Sequence, residues 1–200
     1  MAIEKKKFFE IELPIINEKI ELISTSEDKL AGRTVRMDLT RRLRGKSLEA
    51  VFKISSEQGK LVVKPFRLSI FGYFIRRMMR KSISYAEDSF DVECKNAIIK
   101  VKPFMITRQK ISKAVLNAVR LKAREEIKNE AKEKTYEEVF SDILQNKFQR
   151  TLSLKLKKVY PLAFCEIRDT FVVKEIPYKA QAEKVSETPK AEPITEPEKA

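Results

Sequence analysis

The sequence predicts an α+β fold, with most strands in the first half of the chain and the long helices in the second, and three observations carry that prediction. Leu48, Ala50, Phe52 and Ile54 alternate with Glu49, Val51, Lys53 and Ser55, the period of a pleated strand with one face buried. Val115, Val119, Ala123, Ile127 and Ala131 recur every fourth residue with Leu116 beside them, the stripe of an amphipathic helix. Thr135 followed by Glu138 spells a capping box ahead of a second stripe, Tyr136, Val139, Phe140, Ile143, Leu144 and Phe148.

The remaining elements follow in order along the chain. Lys7 to Leu13 and Lys60 to Phe66 alternate more weakly, and Gly59 marks the turn before the second. Phe74 to Lys81 (FIRRMMRK) reads as a short helix, with Phe74, Ile75, Met78 and Met79 on one side and Arg76, Arg77, Arg80 and Lys81 on the other. Phe90, Val92 and Cys94 alternate with Asp91 and Glu93, and Lys95 and Asn96 offer a turn into Ala97 to Ile106, so this pair predicts a hairpin. Ser112 is placed to cap the first long helix, which should run to about Glu133. The two long helices are consecutive and are expected to lie antiparallel. Leu152, Leu154 and Leu156 alternate with Ser153, Lys155 and Lys157, so periodicity alone favours a strand there. Pro161 ends that segment, and Ala163 to Ile176 reads as the last strand, with Cys165 and Ile167 set against Glu166 and Arg168.

Lys179 to Ala200 holds no aromatic residue and is rich in Ala, Glu, Lys, Pro and Thr. Such a stretch buries too little to offset its ordering entropy, so residues 179–200 are expected to form a disordered tail behind a single basic domain, residues 1–178. The whole chain has 42 Lys and Arg against 29 Asp and Glu, a formal charge of +13. The tail carries four lysines and five glutamates, so the positive charge belongs to the domain. A surface potential of that size attracts polyanions such as nucleic acid or anionic lipid.

Several function classes are poorly served by this composition. Without histidine there is no Ser-His or Cys-His pair for nucleophilic catalysis. Cys94 and Cys165 are far apart and supply no zinc spacing, and both are expected to pack as small reduced core residues. Gly32, Gly45, Gly59 and Gly72 stand in no phosphate-cradling motif. The carboxylate pairs Glu125 with Glu126 and Glu137 with Glu138 lie beside Lys and Arg on helix faces, where they read as a solvated surface. No catalytic residue, metal, cofactor or small-molecule substrate is therefore expected. Lys5 to Lys7 are followed by no apolar run, no stretch approaches the roughly 18 apolar residues of a membrane span, and a soluble cytosolic protein is expected.

The cations are clustered. Arg33, Arg36, Arg41, Arg42, Arg44 and Lys46 form one group, Arg76, Arg77, Arg80 and Lys81 a second, and Lys100, Lys102, Arg108, Lys110 and Lys113 a third; Arg120, Lys122 and Arg124 continue along the first long helix. Like charges this dense repel one another unless a polyanion offsets them, and the planar fork of arginine suits phosphate oxygens and stacks on splayed bases. Arg33, Arg41, Arg42, Arg44, Arg76, Arg77, Arg80, Lys81, Arg108 and Lys110 are the candidate RNA contacts, acting by electrostatic anchoring. Two other readings remain open on these residues: a free RNA-binding translation regulator, and a peripheral membrane protein that inserts the apolar side of FIRRMMRK.

Three segments in order resemble one family. FIRRMMRKSISYAEDSFDVE (Phe74 to Glu93), LAGRTVRMDL (Leu30 to Leu39) and VYPLAFCEIR (Val159 to Arg168) are together similar to the archaeal and eukaryotic small-subunit ribosomal proteins of the S1e, or S3Ae, type. The resemblance covers roughly Phe8 to Ile176; the chain departs from the family's pattern at LSIFGYFIRR and at the hairpin turn Cys94 to Ala97. It implies an antiparallel, barrel-like sheet packed with helices, and a helix for Leu152 to Lys158 where periodicity reads a strand. It also implies a structural role on the platform of the small ribosomal subunit, near the mRNA exit and the 3' end of the rRNA. The implied partners are small-subunit rRNA, neighbouring platform proteins and mRNA near the exit, with no membrane.

Overall fold

A computed structural model describes residues 6–13, 15–16, 18–43, 45–57 and 60–176 of the chain. The expected tail, residues 179–200, lies outside them, as do Arg44 and Gly59. The core grows from the alternation noted above. Strand β4 (Leu48–Glu57) buries Leu48, Ala50, Phe52 and Ile54 completely and leaves Lys53 in solvent. It pairs antiparallel with β3 (Thr34–Asp38) on one edge and with β5 (Lys60–Ile70) on the other. The sheet continues through β9 (Leu162–Glu175) to β8 (Ala97–Thr107), whose far edge takes β7 (Phe90–Glu93) and β6 (Tyr85–Glu87) one after the other. This is a seven-stranded sheet, antiparallel throughout and open, with β3 at one end and β6 at the other. Strands β1 (Lys7–Leu13) and β2 (Glu18–Ser24) form a separate hairpin that packs on β5.

Two ladders slip by one residue beside a proline, which has no N–H to donate and so sits where pairing is irregular. Opposite β4 the slip at Pro65 leaves Phe66 unpaired, and opposite Pro103 of β8 it leaves Arg168 of β9 unpaired. A further slip between Ile106 and Thr107 leaves out Ala163. The β5–β9 seam is short. Only Arg67 to Ser69 pair with Asp169 to Phe171.

Helices pack on this sheet. Helix α1 (Gly72–Met78) begins two residues before Phe74 and ends before Met79, whose extended ψ of 129° stops it. Phe74 and Ile75 are 3% and 6% exposed, Met79 is 38% exposed, and Arg80 and Lys81 lie past the helix end, so the expected helix to Lys81 is corrected. Phe74 and Ile75 are spent on the core, which takes away half of the apolar side that the membrane-inserting reading needs. Helix α2 (Lys113–Lys132) starts at the Ser112 cap and buries Val119, Ala123, Ile127 and Ala131 as the stripe requires. Helix α3 (Tyr136–Leu144) carries both halves of the Thr135–Glu138 capping box. Both start where the sequence puts them, and α4 (Lys147–Leu156) packs against each of them.

Helix α4 overturns the strand that periodicity favoured for Leu152 to Leu156. Phe148, Leu152 and Leu156 are buried four residues apart while Leu154 is 69% exposed, so an alternation of leucines proves to be a helical stripe with one outlier. The second stripe is also broken in two, because Asn146 takes a left-handed conformation (φ 59°) and separates Phe148 from α3. Asparagine accepts that region more readily than most residues. The expected hairpin is present, closed by Cys94 N–H donating to Ala97 C=O at 2.8 Å. Its turn docks on the helices, with Tyr136 N–H donating to Asn96 Oδ1 at 2.9 Å. Cys94 is buried and Cys165 half-buried, both are free thiols, and burial pushes them up to about 11 and about 12, so they stay protonated at neutral pH.

Lys46 belongs to this packing and not to the cation cluster in which its neighbours place it. Gly45 (φ 89°) turns the chain so that Lys46 points inward, 6% exposed, with its Nζ 2.7 Å from Glu166 Oε2 and 2.9 Å from Asn146 Oδ1. Gln149 Nε2 donates to the same Glu166 oxygen at 3.2 Å, so the network ties the loop after β3 to α4 and β9. Removing one partner of a buried pair strands the other charge, at a cost of about 3 kcal/mol or more. Urea unfolding should therefore show Lys46→Met losing stability on that scale and Lys46→Met with Glu166→Leu recovering most of it. Equal losses in the two variants would show that the ion pair is not what holds this junction.

Candidate nucleic-acid interface

A basic surface binds RNA with those cations that the protein's own carboxylates do not already hold. The described cations divide cleanly by this criterion. Arg124 forks onto Asp88 (2.9 and 3.0 Å), Lys134 reaches Glu130 and Asp142, Lys155 and Lys122 share Glu126, and Lys100 meets Asp91. Arg76, Arg77, Arg80, Lys81, Arg108 and Lys110 make no ion pair among the described residues.

Three of these unpaired cations converge. Arg77, Arg80 and Arg108 line one cleft of about 350 Å³ whose floor is Met78, Ile83, Ile106, Ala163 and Phe164, with Thr107 at its side. Each element delivers its residue for a local reason. Arg77 comes from the exposed side of α1, with its guanidinium 5.3 Å above the Phe74 ring that the same helix buries. Arg80 follows from the chain's exit from α1, and Arg108 from the end of β8, where Thr107 anchors the turn by donating to Ser84 C=O at 2.8 Å. No carboxylate lines the cleft, so the positive charges of three arginines repel one another there with no internal partner to offset them. A polyanion offsets that repulsion.

The other sequence-derived candidates lie elsewhere. Arg76 reaches back over Gly72, and Lys81 and Lys110 are exposed in the turns beside Arg80 and Arg108. Arg33 and Arg41 are exposed before and after β3. Arg42 is partly engaged, paired with Glu18 and donating to Ile16 C=O at 3.4 Å, and Arg44 lies outside the described residues.

A second basic constellation was invisible in the sequence because three strands build it. Arg67 of β5 forks onto Asp169 (2.8 and 2.9 Å), and Lys102 of β8 donates to the same carboxylate at 2.9 Å. Arg67, Lys100 and Lys102 also lie within 6.0 Å of the Phe171 ring centre, and Arg168 shares the cavity that Arg67 and Lys102 line. No spacing along the chain announces it; the register Lys102 to Asp169 and Arg67 to Phe171 does. Its charges are largely answered from within, with Asp169 5% exposed and Arg168 bound to Glu87. Among the described residues, no cluster of His, Cys, Asp and Glu is placed to hold a metal ion, and no helix is long and apolar enough to cross a membrane.

The family model for the ribosomal S3Ae family matches residues 2–176, a span that takes in every described residue. The chain belongs to the ribosomal S3Ae family. It is 24% identical over 177 residues to a small ribosomal subunit protein eS1 of Nanoarchaeum equitans, covering 84% of this chain and 89% of that one. The corresponding figure for the small ribosomal subunit protein eS1 of Saccharolobus islandicus is 27%, covering 84% and 85%. S3Ae is a family of ribosomal structural proteins and not of enzymes. Two of the three S3Ae segments lie at the cleft: Phe74 to Glu93 supplies Arg77, Met78, Arg80 and Ile83, and Val159 to Arg168 supplies Ala163 and Phe164.

The Arg124–Asp88 pair is one of the internal contacts that keep a cation out of this surface, and its pH response identifies it. Burial works to raise the Asp88 carboxyl, but the Arg124 fork and the Ser89 N–H outweigh burial and hold the group below its ordinary value. A carboxyl lowered in the folded state adds stability above its unfolded pKa of about 3.9 and loses it as pH falls further. Thermal melts should show Asp88→Asn below the wild type at pH 7, with the gap narrowing at pH 3. A gap that stays constant would mean the pair contributes nothing through ionisation.

Proposed function

We propose that this protein is a structural constituent of the small ribosomal subunit and that it holds rRNA through the cleft of Arg77, Arg80 and Arg108. The convergence of three unpaired guanidiniums on a cleft without a carboxylate is the observation that carries the reading. Family membership supports it, and so do the names of the relatives, both small-subunit proteins. Arg33, Arg41, Arg42, Arg44, Arg76, Lys81 and Lys110 extend the contact to phosphates around the cleft. Such contacts fix the position and orientation of RNA and leave its sequence unread. The site is the platform, near the mRNA exit and the 3' end of the rRNA, with neighbouring platform proteins and mRNA as further partners. The protein works on the ribosome in the cytoplasm, and residues 1–178 act as one RNA-binding unit ahead of the acidic-leaning tail.

Sedimentation of lysate through sucrose at low magnesium tests the placement. The protein should peak with small subunits at about one copy each; recovery at the top of the gradient would favour a free RNA-binding regulator instead. The role of the cleft is tested by the salt dependence of rRNA-fragment binding. Each phosphate contact contributes roughly one unit to the slope of log affinity against log salt. Arg77→Ala, Arg80→Ala and Arg108→Ala together should lower that slope by about two to three units, while an unchanged slope would place the phosphates elsewhere on the surface.

A further inference from the structure

We propose that the cleft receives one unpaired nucleotide of the bound RNA, with its base laid on the apolar floor and its flanking phosphates on Arg77, Arg80 and Arg108. The inference rests on the RNA-binding reading above and adds what kind of RNA element the cleft is shaped for.

Phosphate anchoring alone does not explain the floor. An RNA duplex shows the protein its phosphates and 2'-hydroxyls and keeps its base faces stacked inside, so Met78, Ile83 and Phe164 would be covered by an anionic backbone that makes no use of them. A base turned out of the stack does use them. Every base has an apolar face that stacks on aromatic rings and guanidinium planes, and the half-buried Phe164 offers the first beside three of the second. The size agrees: about 350 Å³ is near the lower end of ligand-binding cavities, room for one nucleotide and not for a paired stem.

The backbone opens the cleft by a specific device. Ile106 pairs with Phe164 and Thr107 with Leu162, so Ala163 is the extra residue of a bulge and stands exposed at the cleft instead of in the ladder. Its side chain is a single methyl group, which leaves the space in front of it free. The one hydroxyl in the lining is already committed: Thr107 Oγ1 lies 2.8 Å from Ser84 C=O, 2.6 Å from Gln109 C=O and 3.1 Å from Ser84 N–H. Its one proton is committed to a backbone carbonyl and Thr107 is 1% exposed, so it offers no donor to a base edge. The apolar surface of the cleft therefore suits the face of an unstacked base, a feature that all four bases share.

The experiment compares two fluorescent RNA hairpins, one fully paired and one carrying a single unpaired nucleotide in the same stem, by anisotropy with the full chain. The wild type should bind the bulged hairpin roughly tenfold more tightly, the scale of one base stacked on a protein surface. Ala163→Leu fills the cleft without touching its charges, and it should bring the ratio of the two affinities close to one. A circular-dichroism melt that matches the wild type shows the variant to be folded. Equal wild-type affinity for the two hairpins, or an advantage that survives Ala163→Leu, overturns the inference and leaves the anchoring role standing. Failure of the wild type to bind either hairpin overturns both.

Discussion

Strand β8 is the constraint on which the rest of this structure depends. It is paired along both edges, with β9 on one and with β7 then β6 on the other, and five consecutive residues at its end, Pro103 to Thr107, are buried. A strand held on both sides cannot shift register, because a slip of one residue would turn every buried side chain to the other face. Its irregularities are therefore passed to its neighbour. The slips opposite Pro103 and Thr107 are absorbed by β9, which puts out Arg168 at one place and Ala163 at the other. Both residues line cavities on the surface, so the geometry of the two basic sites descends from the rigidity of one central strand.

The second organising element is the competition between the protein's own carboxylates and an external polyanion for the same cations. Asp88, Glu126, Asp142, Glu166 and Asp169 each take at least one Lys or Arg. These pairs knit elements distant in sequence, as Lys46 with Glu166 and Arg67 with Asp169 show. Charge density along the chain is thus a poor guide to charge offered outward. Lys46 sits in a run of arginines and is buried, whereas Arg77 and Arg80 from one segment and Arg108 from another line one cleft.

Local patterns made much of the fold legible. The alternation in β4, the four-residue stripe in α2 and the capping box of α3 are signals within a dozen or so residues, and each element formed where its signal lay. Strands β2, β3 and β6 gave no such signal: they are short, and β2 and β3 bury little of themselves, so their alternation is shallow. Leu152 to Leu156 misled because a period of two contains a period of four, and only the partner surface decides which leucines go inside. At the candidate site, Arg77, Arg80 and Arg108 were legible as members of dense clusters. Ile83, Ala163, Phe164 and the Asp169 constellation were not, because strand register brings them together.

The short seam between β5 and β9 has a mechanical meaning. Strands β3, β4 and β5 form a wing that meets the rest of the sheet through only three paired positions, backed by the Arg67–Asp169 and Lys46–Glu166 pairs. Long ladders exchange their amide hydrogens together, while a short seam opens on its own at lower free energy. The wing shares one core with the rest of the sheet, and among the described residues its backbone is joined to β9 by this seam alone. In hydrogen exchange it would let go before the β8–β9 ladder, giving the protein a built-in order of opening in which the strands that frame the arginine cleft are the last to part.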